Sequence, residues 1–227
     1  MAYDGRASGP GMLGTQAMRR HPWIRTGLGP MILVGLGLLL PAPAAGGDVL
    51  VEPKLVASDR AKSDQLGHAL ARSGDVLIAA APYADVDGVR LAGAVYVFLR
   101  DPVTGDWAEH KKLVSQDRAV VDTFGASIAA DGDTVAVGRP NADVAGVVSQ
   151  GTVHVFRRHA GGTDNWGEVV TLTDGSVGVL GGFGASVALA GDLLAVGTDR
   201  RSGGRVTLFE RGRGGEDAWG KVTTVLE

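Results

Sequence analysis

From residue 66 onward the chain alternates short apolar runs with glycine-bearing turns, and the alternation has a period. In the last cycle residues 185–190 are followed by the two-residue link Gly191-Asp192 and by residues 193–196, a spacing that predicts a hairpin. Residues 204–210 supply a third run and residues 219–226 a fourth, so a meander of four short strands is expected. The same order occurs twice before it. Residues 68–72, 76–80, 94–99 and 107–114 make one set, and residues 126–130, 134–137, 152–157 and 166–171 make another.

Landmarks confirm the recurrence. Leu66-Gly67, Phe124-Gly125 and Phe183-Gly184 open the units at separations of 58 and 59, and Gly74-Asp75, Gly132-Asp133 and Gly191-Asp192 repeat both. Trp107, Trp166 and Trp219 stand 59 and then 53 apart, so the third unit has lost residues between Ala195 and Arg205. The units run over about 66–114, 124–173 and 183–226. Runs such as Val76-Leu77-Ile78-Ala79-Ala80 and Thr134-Val135-Ala136-Val137 are apolar on both pleat faces, which requires cover on both sides.

Four-stranded antiparallel sheets covered on both faces are blades of a β-propeller, so the expected fold is all-β. The small pairs Ala126-Ser127 and Ala185-Ser186 fall on the innermost strands, where blades converge. The tryptophans begin the outermost strands, where volume must be filled, and are expected as structural anchors. Residues 49–56 match a fourth strand with no first three before it. Three repeats plus one leading strand fall short of the four to eight blades of a closed ring. A fragment of a longer product, a second copy completing the ring, and an open arc all fit that count.

Residues 1–47 do not read as part of this fold. Arg19, Arg20 and Arg25 precede the apolar run 31–40, and Pro41-Ala42-Pro43-Ala44-Ala45 offers a small-residue cleavage site. Residues 1–45 are therefore expected to be a signal peptide, with Met18 a more natural first residue than Met1. An uncleaved membrane anchor is the competing reading. Glycine, at 36 of 227 residues, is about twice its average usage and serves the turns. Cysteine is absent, so disulfides are excluded. Loss of residues 1–45 removes four Arg and one Asp and moves the formal charge from -3 to -6, so nucleic acid is not expected as a partner.

Phe124-Gly125 followed by Gly138-Arg139-Pro140, Leu66-Gly67 followed by Ala80-Ala81-Pro82, and Phe183-Gly184 followed by Gly197-Thr198-Asp199 resemble the FG-GAP repeat of integrin alpha chains and bacterial secreted proteins. The bacterial form, with its Gly-Asp turn and Trp-initiated last strand, is the nearer likeness. It covers residues 54–227 and implies an extracellular β-propeller engaged in adhesion or recognition. Integrin-type repeats carry a calcium loop between the first two strands. Here that link has shrunk to turns too short to supply six to eight oxygens. Asp85 and Asp87, with Gly88, resemble half of such a loop but follow the second strand, where a solvated turn competes with a calcium site.

Little in the sequence points to chemistry. Gly125-Ala126-Ser127-Ile128-Ala129 lacks the last glycine of a nucleophile elbow, and Ser127 falls in a strand. His68, His110, His154 and His159 occupy no common repeat position, and His154 takes the slot of Tyr96 and Thr207. Asp59 and Asp117, each seven residues before a unit opening, read as turn caps. Arg157-Arg158 and Arg200-Arg201 read as solvated charges. No catalytic, cofactor-binding or metal-ligating residue is assigned, and no cofactor beyond that calcium candidate. The expected function is an exported binding, adhesion or interaction module, secreted, periplasmic or on the cell surface, with a protein or glycan ligand. Its loops 83–92, 141–150 and 199–203 are expected to share one face. An enzyme on a propeller scaffold and a structural matrix repeat are the alternatives.

Overall fold

The computed structural model describes residues 54–199, 204–215 and 217–226. The expected signal peptide and residues 49–53 of the leading strand lie outside them. Within them the chain forms three four-stranded antiparallel sheets. Blade 1 comprises β1 (Leu70–Ser73), β2 (Val76–Ala81), β3 (Ala94–Arg100) and β4 (Trp107–Leu113). Blade 2 comprises β5 (Ser127–Asp131), β6 (Thr134–Arg139), β7 (Thr152–Arg157) and β8 (Gly167–Leu172). Blade 3 comprises β9 (Ser186–Ala190), β10 (Leu193–Gly197), β11 (Arg205–Arg211) and β12 (Trp219–Leu226). Strands follow one another in sheet order, as a meander must. Residues 54–56 of the expected leading strand are irregular, while Leu55 and Ala57 pack against the apolar face of blade 1.

Each first hairpin closes on Gly-Asp, with Ser73 paired to Val76, Asp131 to Thr134 and Ala190 to Leu193. The glycine takes the first central position at φ 56, 54 and 56, the left-handed conformation that a type II′ link needs. Between the third and fourth strands the register shifts at Val97/Phe98, Val155/Phe156 and Leu208/Phe209. A bulge at the same place in every blade adds twist to the outer strand.

The blades stack through their faces. One buried cluster joins Val76, Ile78, Ala80, Val95 and Val97 of blade 1 to Val135, Val137, Phe156 and Trp166 of blade 2. A second joins Ala136, Val153 and Val155 of blade 2 to Leu194, Val196, Phe209 and Trp219 of blade 3. Each blade thus has a front face toward its predecessor and a back face toward its successor. The first strands β1, β5 and β9 lie against one another, so the blades converge on the small-residue strands, as a propeller requires.

The segments that cross from one blade to the next, residues 114–126 and 173–185, carry the Phe-Gly pairs into these interfaces. Phe124 and Phe183 are fully buried between blades. Their amides donate to Ala92 O and Gln150 O of the preceding blade, both at 2.9 Å. The glycine that follows donates to its own sheet, Gly125 N to Gly138 O at 3.0 Å and Gly184 N to Gly197 O at 3.1 Å. Both glycines have φ near 90°, and a Cβ would stand 2.9 Å from Val95 Cγ2 at Gly125 and 2.6 Å from Thr152 O at Gly184. The Phe-Gly pair is therefore the joint between blades: a ring that fills the gap and a residue bare enough to pass it.

Candidate functional site

The blades have two ends. At one, the Gly-Asp turns of successive blades touch, because Gly132 N donates to Ser73 Oγ at 2.9 Å and Gly191 N to Asp131 Oδ2 at 2.6 Å. The connections from second to third strand therefore leave from the opposite end in every blade, together with the crossing segments. The loops at 83–92 and 141–150 share that end as expected. Most of the third, residues 200–203, lies outside the described residues, as do Arg200 and Arg201.

The two described loops are built alike. Each closes a ten-residue span, with Gly93 N donating to Ala84 O and Gly151 N to Ala142 O, both at 3.0 Å. Inside it sits a bridge, Val86 with Val89 or Val144 with Val147. An acid staples the span: Asp85 Oδ1 accepts from Leu91 N and Asp143 Oδ1 from Ser149 N, both at 2.8 Å. Asp87 pairs with Arg118 of the next crossing segment. Both acids of the half calcium loop thus have protein partners, one holding the loop's own backbone. Among the described residues no group of three or more His, Asp or Glu side chains is gathered to hold a metal.

The crossing segments present apolar side chains outward at this end. Val120 and Val179 are 61% and 66% exposed, and Val121, Val148 and Leu180 are also exposed. Val121 and Leu180 hold left-handed backbone, φ 68 and 56, a costly conformation for residues of this type. Backbone bonds keep them there: Val121 N donates to Arg90 O at 3.0 Å and Leu180 N to Val148 O at 2.9 Å.

Polar side chains concentrate under the crossing segments. Arg139, at the end of β6, is buried and donates to Ser115 Oγ at 3.0 Å and Asp117 Oδ1 at 2.6 Å, and pairs with buried Asp122. Burial opposes ionisation of Asp117, but Ser115 and Arg139 outweigh it and hold the carboxyl below its usual range. Asp59, by contrast, accepts from Tyr96 Oη at 2.7 Å and Lys112 Nζ at 2.5 Å. Those bonds lower its pKa, while burial and Asp59 push the Tyr96 phenol far up. Both acids that read as turn caps in the sequence are ion-pair partners for strand residues, Asp59 for Lys112 on β4 and Asp117 for Arg139 on β6.

His154 on β7 is buried beside an open depression of about 470 Å³ lined by Gln116, Asp117, Glu168, Val169, Val170 and Thr171. Its Nδ1 lies 2.8 Å from Glu168 Oε1 and its Nε2 3.1 Å from Thr152 Oγ1. Burial raises the Glu168 pKa, yet the bonds from His154 and Thr171 leave it lowered overall. Both ring nitrogens are engaged, and the ring stands edge-on to Phe124 at 5.4 Å. The other histidines among the described residues are dispersed. His68 stacks edge-on with Tyr83, His110 Nε2 meets Asp164 O at 2.7 Å, and His159 is exposed near Asp133. Ser127 Oγ donates to Gly184 O of the next blade at 2.7 Å, a joint between blades.

Arg157 and Arg158 are more than solvated charges. Arg158 reaches Asp75 of blade 1 at 3.2 Å, and Arg157 reaches Asp217 of blade 3 at 2.6 Å. One dipeptide therefore ties the middle blade to both neighbours.

A family profile described as the FG-GAP repeat matches residues 50–98 and 107–156. The chain carries FG-GAP repeats. The second match takes in β4, the crossing segment, and β5 to β7, so the FG-GAP unit is offset by one strand from the blade. It is the crossing segment with its Phe-Gly joint that the unit keeps intact. No curated protein matches the sequence. Among solved structures, a europium-containing methanol dehydrogenase is similar at TM-score 0.45 and 10% identity. The alignment covers 71% of this chain, which spans 26% of that protein's length. No helix among the described residues is long and apolar enough to cross a membrane.

Proposed function

We propose that the chain is an exported interaction module that binds a protein or glycan surface through the loop end of its blades. A second copy of the chain is a further partner. The observation that carries the reading is the row of exposed apolar side chains, Val120, Val121, Val148, Val179 and Leu180, two of them held in left-handed backbone. Strain of that kind persists where the surroundings enforce it and clusters at contact sites. Export rests on the basic and apolar pattern of residues 1–45.

The test has two arms. Residues 1–45 fused to a reporter active only outside the cytoplasm should confer activity, and a silent fusion would reject export. The purified chain is then presented to arrays of extracellular proteins and glycans. Val120→Ser with Val179→Ser should weaken any specific binding at least about tenfold, since truncating a contact anchor costs upward of about 1 kcal/mol, without lowering the melting temperature. Unchanged binding would place the contact elsewhere.

A further inference from the structure

We infer that the open depression on the front face of blade 2, between the crossing segment 114–126 and the outermost strand β8, binds a primary alkylammonium group. Each flanking blade places a lysine of its own at this station, and blade 2 does not. In blade 1, Lys112 of β4 stands opposite Tyr96 of β3, donates to Asp59 at 2.5 Å and lies 5.8 Å from the centre of the Tyr96 ring. In blade 3, Lys221 of β12 stands opposite Phe209 of β11 and donates to both oxygens of Asp174, at 3.0 and 2.9 Å. Both ammonium groups thus reach from the fourth strand to an acid of the chain that leads into the blade.

Blade 2 keeps the acid and loses the lysine. By strand register Thr171 takes the place of Lys112 and Glu168 that of Lys221, while His154 replaces Tyr96. Asp117, like Asp59, stands seven residues before the opening of its unit. Threonine is shorter than lysine and imidazole smaller than phenol, so the space that Lys112 and Tyr96 fill in blade 1 is left in blade 2 as the depression of about 470 Å³. Asp117, His154, Glu168 and Thr171 all line it. Lys111, on the side of blade 1 that faces blade 2, is bonded instead to Asn165 Oδ1 at 3.1 Å.

The depression also holds spare acceptors. Asp117 Oδ1 is taken by Ser115 and Arg139, and Glu168 Oε1 by His154 and Thr171. The second oxygens, Asp117 Oδ2 and Glu168 Oε2, accept no hydrogen bond among the described residues. Burial and the neighbouring Asp117 charge both oppose ionisation of Glu168, and a cation placed between two such carboxylates is attracted by each. An ammonium suits the place as a compact point charge with three donors. Val169, 37% exposed at the β8 bulge, gives the alkyl stem an apolar wall. A lysine of a protein partner and a free alkylamine present this same chemistry.

Titration of the purified, isotope-labelled chain with N-acetyl-lysine N-methylamide should shift the amide resonances of Asp117, Glu168 and Thr171. A millimolar dissociation constant is expected for a ligand of this size in an open site. The same compound acetylated at Nζ should leave those resonances in place. Glu168→Gln, which keeps an acceptor for His154, should weaken binding about twofold to fivefold, the range of an exposed ion pair. Thr171→Lys should fill the depression as Lys112 fills its own, abolishing the response without lowering the melting temperature. Cadaverine and a pentapeptide with one lysine among glycines separate the two sources. Tighter binding of the peptide assigns the site to a protein partner and tighter binding of cadaverine to a free amine, and either order supports the site. No shift at those amides up to about 50 mM, an equal response to the acetylated compound, or unchanged binding in Thr171→Lys would each overturn the proposal.

Discussion

At the scale of single residues, the strongest determinants are buried charges: Asp122 has a counterpart in Asp64 of the first repeat, whereas Arg139 and Asp174 have none. Arg139 and Asp122 are both almost wholly inaccessible and paired. Breaking a buried pair from one side leaves the other charge uncompensated, so Asp122→Asn and Arg139→Met should each cost about 3–5 kcal/mol, read from urea unfolding. The double variant should cost clearly less than the sum. Asp174 is a second case. Burial raises its pKa, but bonds from Ser176, Lys221 and Thr207 prevail and leave it strongly depressed. A depressed folded-state value means that the stabilisation is present above the unfolded pKa of about 3.9 and lost as pH falls below it. Asp174→Asn should therefore be less stable at pH 7 by about 1–3 kcal/mol, with the deficit shrinking progressively as pH falls below about 4 in acid titrations followed by circular dichroism. None of this was legible beforehand. Position 139 is Ala81 in blade 1 and Thr198 in blade 3, so periodicity is blind to it, and ion partners 17 to 47 residues away have no local signature.

Elements were far more legible, because turn chemistry and apolar runs are local. Gly74, Gly132 and Gly191 fix the hairpins, and the observed strands start or end within a few residues of the expected ones. The tryptophans were read as equivalent, yet their surroundings differ. Trp166 and Trp219 are buried between blades, whereas Trp107 is half-buried on the front face of blade 1. Trp166→Ala should accordingly cost about 3–5 kcal/mol, and Trp107→Ala distinctly less, in parallel denaturant titrations. Gly138 shows the opposite constraint. A Cβ there would lie 2.0 Å from Gly184 O and 2.3 Å from Ser127 Oγ, where blades 2 and 3 meet. Gly138→Ala should destabilise by about 1–3 kcal/mol or more, as overpacking does, and Ser127→Ala in the same chain should relieve part of that cost, leaving the backbone clash.

For the molecule as a whole, the blades form a short one-dimensional stack in which stability is a sum of each sheet and its contacts with its neighbours. Periodicity could reveal that the blades recur and stack. It could not reveal the polar contacts that join them, because Ser73 meets the Gly132 amide and Asp131 the Gly191 amide across about 60 residues of sequence. The stack predicts a gradient. Blade 2 is covered on both faces and tied to blade 1 by Arg158 and to blade 3 by Arg157, while the back face of blade 3 is open to solvent within one chain. Amide exchange tracks local opening, so in dilute solution β6 and β7 should exchange most slowly and β10 and β11 markedly faster. Equal protection of all three blades would show that neighbour contacts do not set local stability, and would remove the physical basis for reading this chain as a stack of blades.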